Sequence, residues 1–127
     1  MPTRIQRRRG PLGLVAGDGA HTEPIPAPWP TAVICGSTRH MDRLRAAAET
    51  CTLLGYAVHM PHLTVVDAET VEVLARMWRS LIAHADLVVI VPKPDDSLGQ
   101  ATAGEKAYAE ELGKDIREFE AETGLLL

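Results

Sequence analysis

Two short segments of this chain carry the residue types that would bind a phosphate. The first follows the apolar run TAVICG and reads Gly-Ser-Thr-Arg at residues 36–39. A glycine lets the backbone approach a ligand closely and adopt dihedral angles closed to other residues. Hydroxyls and unpaired backbone N–H groups just before a helix favour an anion, and an arginine offers phosphate a charged fork. We therefore predict an anion-binding turn, with an ordinary helix-capping turn as the alternative, at Gly36, Ser37, Thr38 and Arg39.

The second segment, residues 95–109, reads DDSLGQATAGEKAYA and repeats this chemistry. It contains Ser97, Gly99 and Thr102, and Glu105 follows where a helix is expected to begin. A lone carboxylate at that position would ordinarily only complement the helix dipole. Because another anion-binding turn is expected opposite, the two segments together predict a bound sugar phosphate whose anomeric carbon faces Glu105.

Regular secondary structure is predicted from residue 31 onward, with Asp67 as a helix N-cap and Gly55 as a helix C-cap. Apolar patterning predicts strands at 31–36, 56–61, 86–92 and 114–122, alternating with helices at 41–55, 68–85 and 105–113. This alternation predicts an α/β fold: a three-layer, Rossmann-like or flavodoxin-like parallel sheet of four to five strands with helices on both faces. Ligands of such sheets bind beyond the carboxyl ends of the strands, where both segments lie.

Length and charge indicate how many domains the protein has and which partners it disfavours. The 127 residues suffice for a single α/β domain, placed at residues 31–127 after a flexible Gly- and Pro-rich tail at residues 1–30. The tail has four arginines and two carboxylates, so the domain carries −6 in a chain whose net charge is −4. Such an acidic domain is a poor candidate for binding duplex nucleic acid. The arginine run of the tail is interpreted as part of a solvated leader, with contact to nucleic acid as the alternative.

Two further observations concern location and metals. No run approaches the roughly 18 apolar residues of a membrane span, so we expect no membrane partner. Cys35 and Cys51 have no metal-binding spacing and lie in apolar stretches. They are predicted to be reduced core residues of a cytoplasmic protein.

Three stretches, VICGSTR, HADLVVIVPKPDDSLG and GEKAYAEELGKDI, resemble the nucleoside 2-deoxyribosyltransferase superfamily. The resemblance covers roughly residues 31–119 and is nearest to the 2′-deoxynucleoside 5′-phosphate N-hydrolase branch. It implies that Ser37, Arg39, Ser97 and Gly99 bind the 5′-phosphate and that Glu105 is the nucleophile of a retaining cleavage of the N-glycosidic bond. It also implies a homodimer and no metal or organic cofactor.

The chain departs from that family pattern in three places. One is that it stops soon after its fourth predicted strand, which predicts a sheet with one strand fewer than is usual in the family. The family usually has an Asp eight residues before the Asp that begins its third strand, and here Trp78 precedes Asp86 by that spacing. Trp78 is interpreted as packing in the core or at a dimer contact, or as stacking on the base. Asp95 or Asp96 is an alternative source of the missing carboxylate. Five residues, where the family more often has three, separate Gly99 from Glu105.

The leading functional hypothesis is an enzyme that cleaves or exchanges the N-glycosidic bond of a 2′-deoxynucleoside or its 5′-monophosphate. The alternative is a non-catalytic nucleotide-binding sensor domain of the same fold, which Trp78 in place of Asp favours. A phosphoribohydrolase that acts on cytokinin-like nucleotides ranks last, because its PGGxGTxxE signature is absent.

Overall fold

The computed structural model describes residues 29–62 and 67–127, so the predicted tail at 1–30 lies outside it except for its last two residues. The described elements alternate strand and helix. In chain order they are β1 (Thr31–Gly36), a 3₁₀ turn (Thr38–His40), α1 (Met41–Leu53), β2 (Ala57–His59), α2 (Ala68–His84), β3 (Leu87–Val91), α3 (Gln100–Glu111), β4 (Ile116–Glu120) and β5 (Leu125–Leu126).

The sheet has the strand order β2-β1-β3-β4-β5. Its first four strands are parallel, and β5 pairs antiparallel with β4. The chain moves outward from β1 to β2 and then crosses back to place β3 on the other side of β1. The strand order therefore reverses between β1 and β3, which is where sheets of this kind bind ligands.

Helices cover both faces of the sheet, as predicted. On one face, Leu44, Ala47 and Cys51 of α1 pack against alternate residues of the central strands. On the other face, Ile82 of α2 and Ala109 of α3 pack against the remaining strand residues. Because both faces are covered, β1 and β3 are apolar without alternation. Cys35 and Cys51 are both free and buried, as predicted.

The ends of the helices follow the local signals in the sequence. The Asp67 carboxylate accepts a hydrogen bond from the backbone N–H of Thr70 at 2.8 Å, which confirms the predicted N-cap of α2. Gly55 and Gly113 have φ values of 101° and 69° just after α1 and α3. That left-handed conformation ends a helix readily only at glycine, and it confirms both predicted helix ends.

The predicted start of α3 is wrong, because the helix begins at Gln100 rather than at Glu105. Gly99 is the N-cap, and the segment from Gln100 to Ala103 consists of residues that a helix accepts. Gly104 was interpreted as loop but lies within the helix, since one glycine costs only about 1 kcal/mol there. Glu105 consequently lies in the second turn of α3 and not at its first position.

The edges of the sheet also differ from expectation. Strand β2 has only three residues, whereas residues 56–61 were predicted to form it. At the other edge, a turn containing Gly124 at φ 75° brings the chain back, so that β5 extends the sheet by two residues.

Much of the first half of α2 is exposed to solvent. Val71 and Val73 in the first half are each 50% exposed and Met77 near the middle is 45% exposed, while Ile82 in the second half is fully buried. The apolar pattern of α2 therefore exceeds what this chain alone buries. A partner subunit would explain the excess, and the homodimer stays a prediction. Among the described residues, no helix has the length and apolar character needed to cross a membrane.

Candidate active site

A cavity of about 500 Å³ lies at the carboxyl ends of the strands, within the size range of ligand-binding clefts. The turn after β1 and the start of α3 both reach it, as the two sequence segments predicted. Its walls combine polar groups from these two segments with apolar groups from α2. The lining includes Gly36, Ser37, Thr38, Arg39, His40, His62, Val71, Leu74, Met77, Trp78, Lys93, Gly99, Gln100, Ala101, Thr102 and Glu105.

The turn after β1 is both a capping turn and part of the cavity wall. The Ser37 hydroxyl accepts a hydrogen bond from the backbone N–H of Arg39 at 3.2 Å, and the backbone N–H of His40 donates to the Ser37 carbonyl at 3.0 Å. These bonds fold residues 38–40 into the 3₁₀ turn. Thr38 and Arg39 also line the cavity, with Arg39 exposed to solvent. The structure therefore shows a capping turn that also lines the cavity, and anion binding by this turn stays a prediction.

Gly36 is needed for packing rather than for an unusual backbone conformation. Its φ is outside the left-handed region, contrary to the expectation of dihedral angles closed to other residues. A Cβ there would lie 2.6 Å from Leu44 Cδ2 and 3.1 Å from both the Cβ and the carbonyl oxygen of Val91. Glycine at this position lets α1 and β3 approach β1 closely.

Replacing Gly36 should therefore destabilise the fold. We expect Gly36→Ala to lower the free energy of unfolding by about 1–3 kcal/mol, because the added methyl group overpacks a strand in the centre of the sheet. Gly104→Ala is the matched control: a methyl group added there would meet no atom within 4 Å, and alanine should stabilise α3 by up to about 1 kcal/mol. Urea unfolding measures the free energy of unfolding of both variants. Equal values for the two variants would contradict the packing argument.

The second predicted segment enters the cavity only in part. Gly99, Gln100, Ala101 and Thr102 line it, but Ser97 does not. The Ser97 hydroxyl donates to the Asp95 carboxylate at 2.6 Å, and the Ser97 backbone N–H donates to the same oxygen at 3.0 Å. Ser97 therefore stabilises its own loop, and the structure does not bring it to the cavity with the other predicted phosphate ligands.

The aspartates of this loop also lie away from the cavity wall. Asp95 and Asp96 are exposed and neither lines the cavity. The hydrogen bonds from Ser97 hold the pKa of the Asp95 carboxyl below its ordinary value. Neither aspartate therefore supplies to the cavity the carboxylate that the resemblance predicts at position 78.

Glu105 extends from α3 into the cavity wall and is half-buried. Burial raises the pKa of its carboxyl to about 7, and the neighbouring Cys35 thiol opposes part of that rise. A carboxyl with this pKa exists in both protonation states at neutral pH. It can therefore act as a nucleophile when ionised, or exchange a proton with a bound ligand.

Glu105 is the one carboxylate among the described residues that line the cavity. Arg39 and Lys93 supply the two permanent positive charges, and His40 and His62 add ring nitrogens. Lys93 and His40 were not predicted from the sequence as cavity residues. Lys93 follows β3 by two positions, so its place at the carboxyl end of a central strand was the signal that could have found it.

Trp78 lines the cavity from α2, beside Val71, Leu74 and Met77. It also packs against the core cluster that contains Cys35. Trp78 therefore packs against the core and also lines the cavity, and its stacking on a base stays a prediction. Tyr108 packs against the same cluster, with the Arg79 guanidinium 5.6 Å from its ring centre, and it does not line the cavity.

Among residues 29–62 and 67–127, no group of three His, Cys, Asp or Glu side chains could hold a metal ion.

The fold and the cavity together define the structural class: an α/β protein with a mainly parallel sheet and a cleft where the strand order reverses. A solved structure of this class, the 2-desoxiribosyltransferase from Leishmania mexicana, is similar to this chain with a TM-score of 0.52 and 21% sequence identity. The alignment covers 71% of this chain and 63% of that protein, so the chain spans less than two thirds of its length. This similarity confirms the predicted Rossmann-like α/β fold. No family model matches the chain, and no curated protein matches its sequence.

Proposed function

We propose that this protein cleaves or exchanges the N-glycosidic bond of a 2′-deoxynucleoside or its 5′-monophosphate, with Glu105 as the nucleophile. The main support is the position of Glu105: a half-buried carboxyl in a cavity whose other charged groups are cations. A ligand that combines an electrophilic carbon with an anionic group fits that arrangement. The fold shared with a 2-desoxiribosyltransferase adds support, and so does the resemblance of the sequence to the 5′-phosphate N-hydrolase branch.

The reaction proceeds in two displacements. An ionised Glu105 oxygen attacks the anomeric carbon as the glycosidic bond breaks, and the electron pair of that bond leaves with the base, which takes up a proton from solvent. The product is an ester between Glu105 and the sugar. Water, or a second base, then attacks the same carbon, loses a proton to solvent and releases the carboxylate. A deoxyribose suits this chemistry because the absence of a 2′-hydroxyl eases formation of the oxocarbenium-like transition state.

Arg39 is the proposed ligand of the 5′-phosphate. We expect Arg39→Gln to raise KM for a deoxynucleoside 5′-monophosphate by about 10- to 100-fold, since a charge-assisted hydrogen bond contributes about 1.5–3 kcal/mol. KM for the corresponding nucleoside should stay within about twofold. Arg45→Gln is the control, because Arg45 is exposed on α1, pairs with Asp42 at 3.7 Å and does not line the cavity. An equal rise in KM for the nucleoside and the nucleotide would show that Arg39 does not bind the phosphate.

The pH dependence of the reaction follows from the raised pKa of Glu105. Because the nucleophile acts as the ionised carboxylate, kcat/KM should rise about tenfold per pH unit below pH 7 and level off above it. Initial rates between pH 5 and 9 measure this limb. A rate that instead falls as the pH rises through 7 would assign Glu105 the role of a proton donor.

Release of free base tests the proposal as a whole. The wild-type protein is incubated at pH 8 with a panel of deoxynucleosides and their 5′-monophosphates, and the base is separated by chromatography. We expect release from at least one deoxy substrate and slower release from its ribose counterpart. Binding of nucleotides without any base release over hours would favour the second candidate, a nucleotide sensor, which rests on Trp78 occupying the position where the resemblance predicts Asp.

A further inference from the structure

The first turn of α3 presents unpartnered hydrogen-bond donors to the cavity. The helix begins at Gln100, and its N-cap is Gly99, which has no side chain that could accept from the first N–H groups. Within the described part of the chain, no group accepts a hydrogen bond from the backbone N–H of Gln100, Ala101 or Thr102. All four residues line the cavity. Free donors at the positive end of a helix dipole favour an anion.

Thr102 indicates a ligand at this position independently of the helix end. It lines the cavity although it is only 5% exposed, and it is the one polar residue buried among the described residues. None of the hydrogen bonds within residues 29–62 and 67–127 involves its hydroxyl. By contrast, the Thr52 hydroxyl on α1 donates to the Ala48 carbonyl at 2.9 Å. A buried hydroxyl without a partner costs free energy, so its place in the cavity wall indicates a partner supplied by the ligand.

Lys93 adds a positive charge beside the same end of α3. It follows β3 by two positions and lines the cavity. Its Cε lies 3.7 Å from the position that a Cβ at Gly99 would occupy, so the side chain passes close to the N-cap. The Lys93 charge is a minor cause of the lowered pKa of Asp95, but Lys93 forms no ion pair with Asp95 or any other described residue. Its ammonium group is therefore available to a ligand.

We propose that Lys93 and Thr102 bind the phosphate of the ligand, together with the free N–H groups at the start of α3, and that they take the role that the resemblance gives to Ser97. Ser97 does not line the cavity, and its hydroxyl donates to Asp95. Thr102 precedes Glu105 by three residues, so both lie on the cavity face of α3, about 4.5 Å apart along its axis. That spacing suits a small sugar whose phosphate and anomeric carbon are engaged by one helix. The identity of the sugar rests on the function proposed above, whereas the phosphate subsite does not.

An NMR titration of the full-length, ¹⁵N-labelled protein with inorganic phosphate, at pH 7 and constant ionic strength, tests the subsite. The backbone amide signals of Gln100, Ala101 and Thr102 should shift as phosphate binds. Thr102→Val keeps the shape of the side chain but removes the hydroxyl, and should raise Kd for phosphate about 5- to 30-fold. Thr102→Ser keeps a hydroxyl and should stay within about threefold of wild type. Lys93→Gln removes the charge and should raise Kd about 5- to 30-fold.

Gly99→Asp separates phosphate binding from the stability of the helix. An aspartate at the N-cap accepts hydrogen bonds from the N–H groups of the first turn, so its carboxylate occupies the subsite beside Lys93. A Cβ at this position meets only the Lys93 side chain, at the ordinary contact distance of 3.7 Å. We expect the variant to lose the amide shifts induced by phosphate, while its free energy of unfolding in urea equals or exceeds that of wild type.

Lys106→Gln and Thr52→Val are the matched controls, because neither residue lines the cavity. Both should leave Kd for phosphate within about twofold of wild type, and so should Ser97→Ala. A loss of affinity in Ser97→Ala as large as in Thr102→Val would favour the role that the resemblance gives to Ser97 and overturn the inference.

An unchanged Kd in Thr102→Val or in Lys93→Gln would also overturn the inference, as would wild-type amide signals at residues 100–102 that do not respond to phosphate. Should Thr102→Val fail to fold, Lys93→Gln and Gly99→Asp decide, since phosphate binding that survives in both would contradict the subsite. Failure of the proposed function is distinguishable from these outcomes: wild type would then release no base from any deoxy substrate, yet would bind phosphate through Lys93 and Thr102.

Discussion

Glu105→Gln is expected to abolish base release, lowering kcat by on the order of 10⁴-fold or more. The amide keeps the size of the side chain, but it cannot form the ester with the sugar. Removal of a nucleophile in other covalent enzymes costs a factor of this order. Binding of a deoxynucleotide should persist, since the cation at Arg39 and the apolar wall of α2 are unchanged. Base release and calorimetric titration measure the two quantities separately.

Glu110→Gln provides the matched control for that experiment. Glu110 lies on the same helix, α3, and is exposed outside the cavity, so its loss changes the protein's charge equally without touching the site. It should retain the wild-type rate. Turnover in Glu105→Gln within tenfold of wild type would reject Glu105 as the nucleophile.

The same substitution is expected to stabilise the folded protein at alkaline pH. Burial raises the pKa of Glu105 from 4.5 to about 7, so the folded state resists ionisation that the unfolded state undergoes freely. The cost to stability is absent below pH 4.5, grows between pH 4.5 and 7, and is complete above pH 7. Since the side chain keeps some solvent contact, we expect Glu105→Gln to raise the free energy of unfolding by about 1–3 kcal/mol at pH 8.

Urea unfolding at two pH values checks this expectation. At pH 4 the variant and wild type should differ by less than about 0.5 kcal/mol, because Glu105 is protonated in both states of the protein. At pH 8 the variant should be the more stable of the two. A Glu105→Gln protein that is less stable than wild type at pH 8 would mean that the ionised carboxylate is well stabilised in the fold, in contradiction to the desolvation argument.

The core of the fold could be predicted from the sequence because short-range patterns determine it. Unbroken apolar runs identified β1 and β3 as strands covered on both faces, and the carboxylate of Asp67 and the glycines at 55 and 113 marked helix ends. The alternation of strands and helices then gave the parallel sheet and the position of the cleft. Each of these features depends on neighbours within a few residues or on a general rule of chain topology.

The parts that could not be predicted depend on contacts between distant residues. A glycine-containing segment from Gln100 to Gly104 is helical here because it continues a helix that packs on the sheet, and local propensity alone argued for a loop. Ser97 stabilises its own loop by donating hydrogen bonds to Asp95, and its place in the sequence did not predict this role. The close packing of Gly36 against Leu44 and Val91 joins β1 to α1 and β3, and no spacing in the sequence reveals it.

A crystal structure of Glu105→Gln with a bound deoxynucleoside 5′-monophosphate would test the central claim most directly. The claim predicts that the anomeric carbon lies about 3–3.5 Å from the residue 105 side chain, with the phosphate at Arg39 and the base against the apolar wall that contains Trp78. A nucleotide bound with its anomeric carbon facing away from residue 105, or bound outside the cavity, would contradict the claim.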